Sequence, residues 1–182
     1  MSDDLPYVIQ PPHDAALATA AAEAAATKWG LPAPAHLRTG MNTLFVAGEE
    51  TVLRVSRPTA PASQAVWLMG ALARLGVRVP RLLRSEPIEV HGLTVFAVER
   101  LHPVGDIDWR DVGAMVRLVH DWPTFEVRGR FPLPKADSFP WWNVAAAFAE
   151  VDDLLDDAAR GGLQRAVAEH GDWGDRVTAR VV

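Results

Sequence analysis

The chain has 182 residues, 49% hydrophobic and 23% charged, with 23 acidic against 18 basic side chains and a net charge of −5. A domain of about this length buries roughly 70% of the surface that its unfolded chain exposes, which excludes intrinsic disorder for the bulk of the sequence. The acidic balance argues against a general nucleic-acid binder, which needs a basic face to displace phosphate counterions, and the lack of cysteine removes disulfides, thiolate metal sites and cysteine nucleophiles together.

The opening ten residues hold no basic segment leading into an apolar run, and no stretch of 18 apolar residues follows anywhere. Neither a signal peptide nor a membrane span is expected, and a soluble cytoplasmic protein is. Residues 14–29 read as an alanine-rich helix, with Asp14 as cap and Gly30 as stop. Thr43–Val46 and Thr51–Val55 are two β-rich runs around Gly48-Glu49-Glu50, a hairpin signal, and Thr39-Gly40-Met41-Asn42 is a turn at the end of an earlier strand. Residues 62–75 form a helix with Val66, Met69, Gly70 and Ala73 on one face and Leu68, Leu72 and Leu75 on the next, stopped by Gly76. Residues 88–99 read as a second hairpin turning at His91-Gly92, and the apolar run Leu93–Val98 predicts a strand buried on both faces.

Arg100–Asp108 is a connector. Residues 109–122 form a helix capped by Asp108, with Val112, Met115, Val116 and Val119 at three-and-four spacing. Residues 123–140, with four prolines, read as loop. Residues 143–159 give an amphipathic helix with a stripe of Val144, Ala147, Phe148, Val151, Leu154 and Leu155, broken by Gly161-Gly162; a short helix, Leu163–Glu169, follows. The order is helix, three strands, helix, two strands, connector, then helices. Strands followed by helices predict an α+β fold with segregated halves.

Strand, glycine turn, strand, a basic residue on the next arm and then a helix is the layout of a nucleotide clamp in kinase-like folds. Phosphoryl transfer depends on positioning and charge neutralisation more than on covalent help. A turn can present amides to phosphate oxygens while a cation on the adjacent strand neutralises them. Here the turn is Thr39-Gly40-Met41-Asn42-Thr43 and the cation is Arg54. The plainer reading of the same residues is an ordinary hairpin carrying a solvent-facing arginine.

From Leu37 to His120 the chain resembles the amino-terminal half of the aminoglycoside-phosphotransferase family, a branch of the protein-kinase-like fold that also resembles choline kinases. The residues that carry the resemblance are Thr39–Thr43 for the nucleotide loop, Val52-Leu53-Arg54-Val55 for the phosphate strand, and Leu72-Ala73-Arg74-Leu75-Gly76-Val77-Arg78-Val79-Pro80 for the helix and its exit. Val98-Glu99-Arg100-Leu101 resembles the adenine hinge, and Val112-Gly113-Ala114 through Leu118-Val119-His120 the leading helix of the large lobe. The resemblance implies a small lobe at residues 1–100, with an antiparallel sheet and one packed helix. Residues 101–182 would form an incomplete helical large lobe. ATP would sit between the lobes, with adenine at Glu99 and Leu101 and phosphates between Gly40, Met41, Asn42, Thr43 and Arg54. The implied activity is phosphotransfer from ATP, with Mg2+, to a hydroxyl of a small molecule.

Three departures stand against full competence. The family commonly has lysine where Arg54 stands, although arginine also occurs there and binds phosphate as a fork. The glutamate that would orient this cation falls near Gln64 or Ala65, neither of them acidic. The family's catalytic loop resembles His-Gly-Asp with an asparagine five residues on; His170-Gly171-Asp172 is present, but Asn143 is the last asparagine. Either Asp172 lies in a damaged loop or, as favoured here, it belongs to a coincidental turn and the loop itself would begin past Val182. Little or no phosphotransfer is then expected, and no magnesium ligand set can be named.

Two further readings remain. A non-enzymatic, pseudokinase-like interaction module would use the unfinished large lobe, self-associating through Val144, Phe148, Val151 and Leu155. A metal-dependent hydrolase would use Asp152, Asp153, Asp156 and Asp157, which otherwise read as a solvated helix face. His120-Asp121 reads as a helix end, Phe131, Phe139, Trp141 and Trp142 as packing of the proline-rich loop, and His13, His36, His91 and His102 lack metal-ligand spacing. No membrane or nucleic-acid partner is expected.

Overall fold

The computed structural model describes residues 14–102, 105–132, 148–149 and 151–170. Its first helix, α1 (Ala15–Trp29), begins where the Asp14 carboxylate accepts hydrogen bonds from the amides of Ala16 and Leu17, at 2.9 and 3.1 Å. It ends at Gly30, whose φ of 64° forms the left-handed cap open to glycine at little cost. One stripe of α1, Ala18, Ala21, Ala22, Ala25 and Ala26, is fully buried. Alanine brings high helix propensity and no bulk. The helix can therefore lie close to the sheet, and the volume between them is filled from the sheet side by Phe45, Leu53, Val55 and Val95.

The sheet has five antiparallel strands: β1 (Ala35–Thr39), β2 (Thr43–Val46), β3 (Thr51–Ser56), β4 (Ile88–Val90) and β5 (Leu93–Glu99). They lie in the order β1-β2-β3-β5-β4. β5 is buried from Leu93 to Val98, because neighbours flank it on both sides and helices cover both faces. β1 is an exposed edge whose register shifts between His36 and Arg38, a bulge of the kind that blunts an open edge. The turn between β4 and β5 holds His91 at φ 55° and Gly92 at φ 71°, both positive as a primed hairpin turn requires.

Between β3 and β4 the chain crosses to the other face as α2 (Ala62–Leu75). It points Ala65, Val66 and Met69 at Val52, Phe96 and Val98 of the sheet. Its adjoining face, Trp67, Leu68, Ala71, Leu72 and Leu75, packs with Val119, Trp122, Val127 and Phe131. These last residues come from α3 (Trp109–His120), α4 (Thr124–Val127) and the segments around them. α3 is capped by Asp108, which accepts from the Arg110 amide at 2.9 Å, and it ties back to the α2 exit through Arg78 and Asp111 at 3.1 Å. Its expected stripe is only partly inward: Val112, Met115 and Val119 are half-buried, whereas Val116 is 47% exposed. The fold class is α+β. No helix among the described residues is long and apolar enough to cross a membrane.

Two expected elements are corrected. The loop assigned to residues 123–140 contains α4, because Pro123 fixes the backbone ahead of the first turn and Val127 is wholly buried; residues 133–140 lie outside the described residues. The helix expected over 143–159 does not run through its described part. Asp152–Leu154 is a 3-10 turn, Leu155 is extended, and a new helix, α5 (Asp157–His170), continues straight through Gly161-Gly162. Arg160 explains the break. Its guanidinium donates to Asp152 Oδ1 at 2.9 Å and to the carbonyls of Asp152 and Leu155 at 2.8 and 3.0 Å, stabilising the turn rather than a continuous helix. Asp156 then caps α5 by accepting from the Ala159 amide at 2.8 Å. The two glycines cost about 1 kcal/mol each in helix propensity, too little to stop a helix that is capped in this way. Leu154 is 83% exposed, so it joins no inward stripe, while Val144 and Ala147 lie outside the described residues.

Candidate functional site

Strand alternation and register place Arg54. On β3, Leu53 and Val55 face α1, so Val52, Arg54 and Ser56 face α2. Arg54 pairs across with Leu44 of β2 on one side and with Phe96 of β5 on the other. Its guanidinium carbon stands 5.1 Å from the centre of the Phe96 ring. Its Nε is buried and has no hydrogen-bond partner among the described residues, and no carboxylate there pairs with the side chain. Burial pulls the guanidinium below the ordinary arginine value. Arginine nevertheless keeps its charge at neutral pH, so the sheet holds a partly desolvated cation whose visible compensation is one aromatic face. The plainer expectation of a solvent-facing arginine is not what the side chain does.

The register brings part of the expected site together. Thr43 pairs with Val55, so the loop Gly40-Met41-Asn42 lies just beyond the β3 end nearest Arg54. The Gly40 amide donates to the Asn42 carbonyl at 3.0 Å. Gly40 does not have a positive φ, and a Cβ there would meet nothing within 4 Å, so neither backbone nor space demands a glycine. The Thr43 side chain is buried, and alternation sets it on the α1 face with Phe45, opposite to Arg54. Only its backbone is placed to share the Arg54 side.

The hinge residues lie further off. Thr51 pairs with Glu99, three residue pairs from Arg54 and Phe96, which is about 10 Å along the strand. Glu99 is tied to Arg81: its Oε1 accepts from the Arg81 amide at 2.8 Å, and its own amide donates to the Arg81 carbonyl at 2.9 Å. The Arg100 amide donates to the Glu50 carbonyl at 2.8 Å. Leu101 is 64% exposed just past the sheet. α2 contains no acidic residue, so it offers the cation no counter-charge. Asp172 and Gly171 lie outside the described residues.

Two residues of this face were not singled out from the sequence. Phe96 supplies the ring under Arg54, and Thr94 has a buried hydroxyl with no partner among the described residues. Thr94 pairs with Ser56, so Arg54, Ser56, Thr94 and Phe96 share one side of β3 and β5. Period-2 alternation along Leu93–Glu99 could have grouped Thr94 with Phe96, but only the register sets them beside Arg54.

The aspartates that a metal-dependent hydrolase would use, and that otherwise read as a solvated helix face, do not converge. Asp152 and Asp157 turn onto Arg160, and Asp156 caps a helix. Among the described residues no three carboxylate or imidazole groups are placed to hold a metal ion. The packing role expected for Phe131 is what it has: it is buried beside Trp122 and Val127.

No protein-family model matches the chain, and a search of curated proteins returns no match.

Proposed function

We propose that the chain is a nucleotide-binding module of the protein-kinase-like kind, related to small-molecule phosphotransferases of the aminoglycoside-phosphotransferase type. The observation that supports this most is the half-buried side chain of Arg54, its Nε buried and without a hydrogen-bond or carboxylate partner among the described residues, on the sheet face covered by α2 beside the Gly40–Asn42 turn. A desolvated cation left with an aromatic ring as its neighbour is stabilised most by an anion brought from outside, and the arginine fork suits phosphate oxygens. A strand, a turn, a second strand, the cation-bearing strand and a helix, in that order, is the arrangement that a kinase-like small lobe requires. The orphaned Nε fits a phosphate group. Magnesium has no fitting ligand set among the described residues, so no step through it is assigned. In this reading Arg54 binds and neutralises phosphate, and the exposed Leu101 segment lies at the adenine end.

Titration calorimetry with ATP, in the presence and absence of Mg2+, tests the reading. Saturable binding is expected, weakened about tenfold or more in Arg54→Met, since one charge-assisted contact is lost. Equal affinity in the variant, or no binding to the unmodified chain, overturns it.

A second reading, an interaction module without catalysis, has its own observation. Ile107, Trp109, Val116 and Leu118 leave 64%, 73%, 47% and 38% of their surfaces exposed on and before α3. Concentration-dependent association without ATP binding would favour it.

A further inference from the structure

On the side of α2 turned away from the sheet, an open cavity of about 610 Å3 lies between that helix and α4. Its apolar wall is aromatic. Trp67 and Trp122 stack with ring centres 6.1 Å apart, and Phe125 at the rim is 76% exposed. Its polar wall is cationic. Arg74, Arg128 and Arg130 all line it, against the single carboxylate of Glu126. That carboxylate is already engaged, accepting from Trp122 Nε1 at 3.0 Å. None of the three arginines has an ion-pair partner among the described residues. The guanidinium carbon of Arg130 lies over Trp67, 5.6 Å from the ring centre.

Nothing in the fold requires this combination. Stacked tryptophans alone could close a small core, but an exposed Phe125 and three exposed arginines without an ion pair among the described residues add nothing to that core. The volume falls within the range of small-molecule sites, which pair apolar walls with a few placed polar groups. We infer that this cavity binds a small aromatic molecule carrying an anionic group, its ring lodged against Trp67, Trp122 and Phe125 and its anion held by Arg74, Arg128 and Arg130. The site lies on the opposite side of α2 from Arg54 and rests on no part of the nucleotide reading.

The probe is 1-naphthyl phosphate, titrated calorimetrically into the whole chain, with 1-naphthol and inorganic phosphate as its two halves. Expected is saturable one-to-one binding of 1-naphthyl phosphate, with each half weaker by about tenfold or more, because each lacks one of the two walls' interactions. Arg74→Ala with Arg130→Ala should weaken the aryl phosphate by about tenfold or more, whereas Arg38→Ala with Arg84→Ala, two exposed arginines outside the cavity whose loss changes the net charge equally, should leave it unchanged. Binding of 1-naphthol as tight as that of the phosphate ester, or of inorganic phosphate as tight as either, overturns the inference. So does an absence of saturable binding, or a double variant that binds as well as the unmodified chain. The two halves are compared on the unmodified chain, so the result stands whatever the variants do to folding.

Discussion

Against one face of the sheet α1 lays five alanines, all buried, over Phe45, Leu53, Val55 and Val95. Against the other face α2 lays Ala65, Val66 and Met69 over a surface that includes Arg54, Ser56 and Thr94 as well as Phe96. The first interface is closed and mainly apolar, with the Thr43 side chain buried on the same face. The second buries a cation and a hydroxyl that find no hydrogen-bond partner for Nε or Oγ1 among the described residues. Buried polar atoms usually have partners, and leaving one without costs about 1–3 kcal/mol. One side of a single sheet is thus arranged for stability, while the other retains groups that work against it. The proposed ligand-binding role of the second face rests on this contrast.

Four substitutions sharpen the contrast. Leu53→Ala removes a wholly buried side chain from the α1 face and should cost about 2–5 kcal/mol, read as a fall in the urea midpoint. Ala22→Leu should cost about 1–3 kcal/mol, because α1 already lies close to the sheet and has no room for an added isobutyl group. The same enlargement at Ala73, exposed on α2, should change stability by no more than about 0.5 kcal/mol. If Ala22→Leu is as silent as Ala73→Leu, the close approach of α1 is wrong. Arg54→Met has a small effect of the opposite sign. It replaces a partly desolvated charge with an apolar chain of similar length, so thermal stability should hold or rise by about 1 kcal/mol, while ATP affinity falls. A marked loss of stability instead would make Arg54 a structural residue and remove the contrast between the two faces.

Much of the framework was legible because its signals are local. Asp14 and Gly30 bounded α1, Gly76 ended α2, and His91-Gly92 turned the second hairpin, each through the backbone chemistry of one or two residues. The two faces of α2 were readable from helical spacing, and the burial of β5 from its unbroken apolar run. The carboxyl-terminal part was misread for a related reason. A periodic stripe over 143–159 and a glycine pair are local signals too, but Arg160 reaches eight residues back to Asp152 and overrides them. That α2 offers Arg54 no acidic residue was legible at Gln64 and Ala65. The departure of the Thr43 side chain to the α1 face was not, because a single residue of register decides which side of a sheet a group occupies.

By itself the sequence determined where the chain turns and which segments are helical or extended from α1 to α3, and that a cation sits on the third strand, because these follow from propensity, capping and periodicity within a few residues. The tertiary structure alone decided that Arg54 is half-buried over Phe96 with no carboxylate partner among the described residues, and that Trp67 stacks on Trp122 beside three arginines without an ion pair among those residues. Those contacts join residues some 40 to 60 positions apart. Their energies depend on desolvation and on the distance between surfaces, and neither quantity exists until the sheet and helices have closed on each other.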